Sequence, residues 1–350
     1  MLRVLQIGYG YWGANVARNV LASSEFDLIA VCENNDERLQ RAIDVLPKNV
    51  KKISSVEDIF QTKEIDAVII ATQTENSFAI AMTAMNAGKH IFIEKPIATT
   101  VQRAEELKLK ATEKKLILHC DHIMIYNPVI RYIKQMIDTG ELGELLYYDV
   151  SRLNLGPIKK DINAMLDLAV HDLAVLDFFT DGATPIKLTA FGEKHYGCLQ
   201  ETLTYLTLKY DNFIAHIKSS LVSPLKERRL MLAGSKKMLI FDDMKSEKLT
   251  IYDCGINIKQ GKEYGEYEFL TRTGDIYIPY IPFEDSLKNS LEHFAKCVAK
   301  NKPSLSGPNQ ALRVMKILDE ALIALKTIEP LKISHYRGEE NGRNGVIQHI

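Results

Sequence analysis

The sequence has no excess of charge of either sign. Its 350 residues include 44 Lys and Arg against 45 Asp and Glu, which gives a formal net charge of −1. A general nucleic-acid-binding protein needs a basic excess to displace counterions, and a protein held on a membrane by charge needs a polybasic segment. We therefore expect neither a nucleic-acid partner nor membrane association.

Cysteines and long apolar runs are also scarce. The five cysteines are Cys32, Cys120, Cys198, Cys254 and Cys297. Their number is odd and none forms a CxxC pair, which predicts reduced thiols and excludes a disulfide framework or a zinc site of that type. Apolar runs such as Ala67–Ala71 are strand-sized and far shorter than a membrane span. The amino terminus begins a strand at once and shows no signal-peptide pattern, so we expect a cytoplasmic protein.

Strand-length apolar runs alternate with helical patterns through the first 120 residues. The strand-like runs are Leu2–Ile7, Leu28–Glu33, Ala67–Thr72, His90–Glu94 and Leu116–Cys120. The helical stretches between them are Trp12–Ala22, Glu37–Leu46, Ser77–Ala87 and Thr100–Lys114. Strands that are apolar on both faces and separated by helices predict a parallel, doubly wound sheet covered on both sides.

The pattern changes from about Tyr126 onward. Helical stretches are predicted from Asn127-Pro128, over Ile162–Phe179, near Phe283–Lys300 and over Asn309–Leu325. Strands are predicted over Glu144–Asn154, Ile186–Phe191, Glu201–Tyr210, Phe213–Leu221, Arg228–Ala233, Met238–Phe241 and Leu249–Tyr252. Short turns such as Asp211-Asn212 indicate hairpins and a mainly antiparallel sheet. A chain of this length fits two domains, which we place at residues 1–122 and 123–333, followed by a polar tail at 334–350.

A GxGxxG motif follows the first predicted strand and opens a helix. Its residues are Gly8, Tyr9, Gly10, Tyr11, Trp12 and Gly13. Such glycines permit a tight turn and let the backbone approach a pyrophosphate at the helix N-terminus. The second predicted strand ends at Glu33, where a carboxylate can bind both ribose hydroxyls and would repel a 2′-phosphate. The motif therefore predicts a dinucleotide site for NAD rather than NADP; the alternative is a tight strand-to-helix turn alone.

The tripeptide Glu94-Lys95-Pro96 stands at the carboxyl end of the strand His90–Glu94. Ligands of open α/β sheets bind at that edge, so Lys95 could place its ammonium near a substrate hydroxyl or carbonyl. A surface lysine in a local ion pair is an equal alternative from position alone.

Asp167 and His171 are four residues apart and share one face of the predicted helix. The surrounding residues are apolar, so these two polar groups need a reason to be there. The pair could simply stabilise the helix, or it could complete a hydride-transfer site together with a lysine. Asp172 and Asp177 point to other faces and are interpreted as structural.

Two further features have competing explanations. The segment His119-Cys120-Asp121-His122 resembles a metal cluster, but adjacent residues of a strand face opposite sides, so we expect structure or cofactor contact and no metal. Trp12, the only tryptophan, could cover a cofactor or pack the glycine loop on the sheet.

Together these motifs resemble the GFO/IDH/MocA oxidoreductase family. The resemblance rests on the glycine loop, the acidic end of the second strand, AGKHIFIEKPIA at Ala87–Ala98, and Asp-x-x-x-His at 167–171. It implies an N-terminal Rossmann domain and a C-terminal α/β domain built on a large open sheet. It also implies that Lys95, Asp167 and His171 line the substrate side of the nicotinamide, and that the protein is a homodimer or homotetramer packed through the open face of the second sheet.

A narrower resemblance comes from YNPVIRYIKQMIDTGELGE at 126–144 and RLNLGPIKKDINAMLDLAVHDL at 152–173. These segments are similar to the branch that oxidises the 3-hydroxyl of UDP-N-acetylglucosamine or its uronate in surface-polysaccharide synthesis. The chain departs from the family at Thr72-Gln73, Ser77 and Leu166.

The motifs and the resemblance together define the expected site. Cofactor contacts are expected from the six loop residues, Glu33, Thr72, Gln73, Glu94, Lys95 and His122. Substrate contacts are expected from Lys95, Tyr126, Arg152, Asn154, Lys160, Asn163 and His171.

These expectations lead to the hypothesis of an NAD-dependent nucleotide-sugar dehydrogenase. His171 would be the general base, Asp167 would orient it, and Lys95 would stabilise the developing alkoxide. Three alternatives remain on the same fold: a 3-ketosugar reductase acting on dTDP- or UDP-sugars, an NAD-dependent glycosidase, and a non-catalytic nucleotide sensor.

Overall fold

The computed structural model describes residues 1–55, 64–159, 162–260 and 267–327. Its helices are α1 Tyr11–Ala22, α2 Asp36–Val45, α3 Thr74–Asn86, α4 Val101–Lys114, α5 Pro128–Asp138, α6 Val170–Phe179, α7 Ser286–Lys300 and α8 Pro308–Thr327. The predicted polar tail at 334–350 lies outside the described residues.

The first sheet is parallel and has the order β3-β2-β1-β4-β5-β6. Its strands are β1 Leu2–Ile7, β2 Phe26–Cys32, β3 Lys51–Ile53, β4 Ala67–Ile70, β5 His90–Glu94 and β6 Leu118–Asp121. Every residue of β4 is buried, as expected for a parallel strand with helices on both faces. The predicted doubly wound sheet is confirmed; β3 was not predicted, because it is short and begins with two lysines.

The second sheet has the order β14-β13-β12-β11-β7-β10-β9-β8. Its strands are β7 Leu145–Leu155, β8 Lys187–Glu193, β9 Leu203–Lys209, β10 Ile214–Ser220, β11 Val222–Gly234, β12 Met238–Asp242, β13 Leu249–Gln260 and β14 Tyr267–Tyr277. Only the β7–β10 pair among these neighbours is parallel. The predicted mainly antiparallel open sheet is therefore confirmed.

The far edge of this sheet extends beyond the prediction. Strand β13 continues past Tyr252 to Gln260, and β14 was not predicted at all. Ile256 and Ile258 in this extension are 62% and 64% exposed, so the hairpin projects from the core. The sequence signal was weak there because the strands bury little apolar surface.

Two late helices connect the domains. Helix α7 packs on the first sheet, where Leu291 and Phe294 share a core with Phe92 of β5. Helix α8 contributes Leu312 to the core of the first sheet and Leu318 to the core of the second. A division at residue 122 therefore separates the sheets but not the helices that cover them.

The structure bears on two predictions made from the sequence, the state of the cysteines and the lack of a membrane span. All five cysteines are free thiols. In the described part of the chain, no helix combines the length and the apolar character that crossing a bilayer requires.

Candidate active site

Gly8 and Gly13 of the loop must be glycines because a Cβ at either position would clash with the backbone. Gly8 has a φ of +97°, and a Cβ there would lie 2.3 Å from the carbonyl oxygen of Ala71. A Cβ on Gly13 would lie 2.3 Å from the carbonyl oxygen of Gly8. The buried Gln6 side chain fastens this turn by donating to the carbonyls of Gly8 and Gly13, at 2.9 and 2.8 Å. The loop therefore runs too close to β4 and to itself for any side chain.

Gly10 is different, because nothing in the described chain requires it. It precedes α1 with an ordinary φ of −68°, and its hypothetical Cβ would approach nothing closer than an Arg38 guanidinium nitrogen at 3.9 Å. No side chain caps α1, and its first turn contains no acidic residue. The positive end of the α1 dipole therefore has no capping side chain or acidic residue of its own first turn, which suits the pyrophosphate of a dinucleotide.

Glu33 fixes the loop from the end of β2. The residue is 5% exposed, and its Oε2 accepts from the backbone amide of Tyr9 at 2.7 Å while Oε1 accepts from that of Asn35 at 3.0 Å. Each carboxylate oxygen keeps a second lone pair for a ribose hydroxyl. The Tyr9 ring is buried in the core, and its amide is used by Glu33. Tyr11, in contrast, is 87% exposed.

Thr72 and Gln73 lie across from the glycine loop, between β4 and α3. The Thr72 methyl group would be 3.1 Å from a Cβ on Gly8, and its hydroxyl lies 3.0 Å from that of Ser77. Gln73 is exposed at the start of α3. Both residues are therefore placed where a molecule on the glycine loop could contact them.

Trp12 links the loop to the end of β5. Its indole N–H donates to Oε1 of Glu94, the residue before Lys95. Of the two roles considered for Trp12, this contact supports fastening the loop to the sheet.

Lys95 and Asp167 meet across the two domains. The Lys95 ammonium donates to the backbone carbonyl of Asp167 at 3.1 Å and lies 4.0 Å from its carboxylate. Burial lowers the pKa of Lys95, although the charges of Asp167 and Glu94 oppose that shift. Lys159 donates to the same carboxylate at 2.9 Å. Lys159 was missed from the sequence, where its neighbour Lys160 was chosen instead; Lys160 lies outside the described residues.

Asp167 stands on a π-helical turn at Met165–Ala169 that runs directly into α6. Such turns are rare and are found frequently at functional sites. Asn163 holds the start of this turn, since its Oδ1 accepts from the amide of Leu166 at 2.9 Å and its Nδ2 donates to Glu201 at 3.1 Å. The predicted helical stretch over Ile162–Phe179 is therefore helical from Ala164, and its first turn is π-helical rather than α-helical.

His171 follows on α6 as a neutral imidazole. Burial lowers its pKa well below the usual value, and the nearby cations Lys95 and Arg152 lower it further. Its Nδ1 is buried without a hydrogen-bond partner in the described residues. A buried polar atom normally has a partner, so this nitrogen has a hydrogen-bonding position that a ligand could fill. A neutral imidazole beside a lysine can accept a proton from a substrate hydroxyl.

The expected hydrogen bond between Asp167 and His171 does not form. Among the described residues, the Asp167 carboxylate instead accepts from Lys159 and faces Lys95. Asp167 is thus placed to position the lysine rather than the histidine.

Arg152 was predicted to contact substrate, but the structure places it in a buried ion pair. Its guanidinium donates to both carboxylate oxygens of Asp172, at 2.8 and 2.6 Å, and the side chains are 9% and 5% exposed. The interpretation of Asp172 and Asp177 as structural is confirmed, since Asp177 pairs with Arg313 at 2.7 and 2.9 Å.

Three more predicted ligand contacts are packed into the fold. Tyr126 is 3% exposed and stacks on His119, because the chain turns inward after β6. His122 is 2% exposed and donates from Nδ1 to Gln310 at 2.6 Å, and burial lowers its pKa to about 4. Asn163 is 2% exposed, and its side chain is bonded to the Leu166 amide and to Glu201. Asn154 remains half-buried at the end of β7 and is free to contact a ligand.

A cavity of about 690 Å³ opens beside Trp12, between α1, the ends of β11 to β13 and the segment before α7. Its lining includes Arg18, Arg228 and Lys248 together with Tyr280 and Phe283. Its volume is in the range of small-molecule sites. Arg228 also contributes, after burial and the charges of Lys95, Arg152 and His122, to the lowered pKa of His171, but His171 itself does not line the cavity. Sequence reasoning missed it because its walls come from distant segments.

Family models match both halves of the chain. Residues 2–122 match the model described as the oxidoreductase family with an NAD-binding Rossmann fold, and residues 130–240 match the GFO/IDH/MocA C-terminal domain. The chain belongs to the GFO/IDH/MocA oxidoreductase family. It is therefore an NAD(P)-dependent oxidoreductase, as its dehydrogenase relatives also indicate.

Individual relatives cover most of its length. A UDP-N-acetylglucosamine 3-dehydrogenase of Acidithiobacillus ferrooxidans is 27% identical over 344 residues, covering 93% of this chain and 97% of the relative. A solved structure of that dehydrogenase has a TM-score of 0.77 at 26% identity and covers 93% of this chain and 98% of its own. An NAD-dependent scyllo-inositol 2-dehydrogenase of Bacillus subtilis is 25% identical, covering 70% of this chain and 71% of the relative.

Proposed function

We propose that this chain is an NAD-dependent dehydrogenase of a nucleotide sugar, acting on the 3-hydroxyl of a UDP-N-acetylhexosamine or its uronate in surface-polysaccharide synthesis. The observation that carries the proposal is the neutral His171, whose buried Nδ1 has no hydrogen-bond partner among the described residues. Its charged neighbour Lys95 faces Asp167 at the carboxyl edge of the dinucleotide-type sheet. Similarity to the Acidithiobacillus enzyme over 93% of the chain supports the substrate class.

NAD is the proposed cofactor. The carboxylate of Glu33 at the end of β2 suits free ribose hydroxyls and repels a 2′-phosphate. Arg38 near Gly10 is a cation that NADP could use, so the balance between Glu33 and Arg38 decides the preference.

His171, Lys95 and Asp167 have different roles in the proposed reaction. When bound, NAD supplies the acceptor for the hydride that leaves the carbinol carbon. His171 takes the hydroxyl proton, for which its lowered pKa keeps the imidazole free at neutral pH. Lys95 donates a hydrogen bond to the same oxygen and stabilises its developing negative charge. Asp167, which holds the Lys95 ammonium through its backbone carbonyl, keeps that donor in place.

The cavity beside Trp12 is the proposed place for the nucleotide half of the substrate. It is lined by Trp12 of the glycine loop and by Arg228, whose charge contributes to the lowered pKa of His171, and Tyr280 and Phe283 are 91% and 86% exposed along its wall. Exposed aromatic rings can stack on a base, and Arg228 can bind a phosphate oxygen.

The proposed quaternary structure is a homodimer or homotetramer formed through the outer face of the second sheet. Tyr147 of β7 and Ile214 of β10 are register partners, and they are 40% and 46% exposed. Light scattering after size exclusion measures the mass directly; a monomer would contradict this arrangement.

The proposed function is tested by mixing the protein with UDP-sugars, dTDP-sugars and free inositols, each with NAD or NADP, and following reduced cofactor and products. NADH formed from a UDP-N-acetylhexosamine or its uronate is expected. The variant pair Arg228→Gln and Arg229→Gln is matched, because neighbouring strand residues face opposite sides and only Arg228 lines the cavity. Arg228→Gln should raise KM for the nucleotide sugar, whereas Arg229→Gln should not.

Other results would contradict the proposal. NADH from free inositol alone would make the protein a polyol dehydrogenase like the Bacillus relative. Consumption of NADPH with a 3-ketosugar, without the reverse reaction on the alcohol, would make it a reductase. Glycosidic cleavage without net NADH would indicate a glycosidase.

A further inference from the structure

Two carboxyl-bearing residues stand side by side at the ends of neighbouring strands, next to Lys95. Glu94 ends β5 and Asp121 ends β6, and the two are register partners in the parallel sheet. Residues opposite each other in adjacent strands point to the same face. Asp121 is 1% exposed; its Oδ1 accepts from Ser290 at 2.7 Å, whereas its buried Oδ2 has no donor among the described residues.

An unpartnered buried carboxylate oxygen beside another carboxyl group has a simple explanation. Two ionised carboxylates cannot hydrogen-bond to each other, because neither has a donor; a single proton between them supplies one. We infer that Glu94 and Asp121 share one proton, and that Asp121 is thereby a positioning residue that keeps Glu94 in place as the acceptor for Trp12 and hence keeps the glycine loop fastened to β5.

The surrounding charges agree with a shared proton. Burial and the charge of Asp121 raise the pKa of Glu94 well above its usual value, and burial raises the pKa of Asp121 to about 7. Lys95 is the cation that faces both groups and favours ionisation, and Asp285 at the start of α7 opposes ionisation of Asp121. Ser290 and Trp12 donate to the two carboxyl groups and favour their charged forms.

The pair connects the two halves of the proposed site. Trp12 belongs to the loop that would hold the cofactor pyrophosphate, and Glu94 precedes Lys95. At pH values where the shared proton is bound, the pair carries one negative charge, which the Lys95 cation can balance. At higher pH, where this proton is lost, the pair carries two negative charges, and the added charge repels an anionic cofactor. This last consequence rests on the proposed function, whereas the shared proton does not.

The single tryptophan makes the shared proton measurable without cofactor or substrate, because all indole emission comes from Trp12. We expect the emission of the wild-type protein to follow a transition with a midpoint near pH 7. In Asp121→Asn the amide donates to Glu94 without a titrating proton, and in Glu94→Gln the amide donates to Asp121. Both variants should lose the transition. Asp211→Asn, in the exposed β9–β10 turn, removes the same charge far from the pair and should keep it.

Circular dichroism of each variant verifies folding, and the Glu94→Gln result decides the question if Asp121→Asn does not fold. Absence of a transition in the folded wild-type protein, or its persistence in either folded variant, would overturn the shared proton. NADH titrations above and below the midpoint then test the coupling: affinity should fall with rising pH in wild type and stay constant in Asp121→Asn. A wild-type transition in emission with no oxidation of any substrate would leave the shared proton standing and remove the proposed function.

Discussion

Removing Arg152 separates a structural role from the substrate contact that the sequence favoured. Arg152→Ala would leave the Asp172 carboxylate, whose side chain is 5% exposed, without the two hydrogen bonds at 2.8 and 2.6 Å that now balance its charge. Breaking a buried ion pair by removing one partner costs about 3–5 kcal/mol. We expect the free energy of unfolding to fall by that amount, because the cavity left by the side chain adds to the uncompensated charge.

The assay is urea unfolding followed by circular dichroism, with Arg152→Met/Asp172→Leu as the matched control. Removing both charges together should restore most of the lost stability, since replacing a whole buried pair by apolar residues is often neutral or stabilising. The reasoning would be refuted if Arg152→Ala cost less than about 1 kcal/mol, the range of exposed ion pairs, and raised KM instead.

The remaining predictions concern the cofactor site and pH. Gly10→Ala should leave the free energy of unfolding unchanged, since the added Cβ touches nothing in the described chain, but it should weaken NAD binding in calorimetry because the methyl group would occupy the place of the pyrophosphate. Gly13→Ala should destabilise the fold, because its Cβ would lie 2.3 Å from a carbonyl oxygen. An equal loss of stability in both variants would contradict this. Glu33→Gln keeps an acceptor for the Tyr9 amide but loses its charge, so the ratio of NADP to NAD affinity should rise; an unchanged ratio would remove Glu33 from cofactor choice. His122 has its pKa lowered to about 4 in the folded state, so the unfolded chain binds more protons below about pH 6.5 and stability should decrease as pH falls from there toward 4. In His122→Asn, the free energy of unfolding measured from unfolding curves should depend less on pH in this range. If the variant kept the pH dependence of the wild-type protein, burial of a neutral His122 would not be its cause.

The first sheet and the glycine loop could be predicted because their signals are local. The strands carry continuous apolar runs, and the six residues of the glycine motif are contiguous in the chain. The contact that requires Gly13 is also local, with the carbonyl of Gly8, whereas the contact that requires Gly8 comes from Ala71 on another strand end. Lys95 could be placed at the sheet edge for the same reason, since it directly follows β5.

The predicted ligand contacts that the fold buries share a different cause. Arg152, Tyr126 and Asn163 have residue types suited to ligand binding, but which way each side chain points depends on partners far away in the sequence, such as Glu201 for Asn163. Asp167 sits on a π-helical turn that no periodicity signals. The sequence pattern shows which polar groups are available but not which of them the fold uses for itself.

If His171 is the base of a dehydrogenase, replacing it should slow the chemical step itself, which single-turnover NADH formation by His171→Asn measures. The measurement uses saturating NAD and a nucleotide sugar that the wild-type protein oxidises, with substrate binding verified separately. We expect the rate of hydride transfer to fall by about 10²–10⁴-fold, the usual contribution of a general base. Hydride transfer within about tenfold of wild type would contradict it.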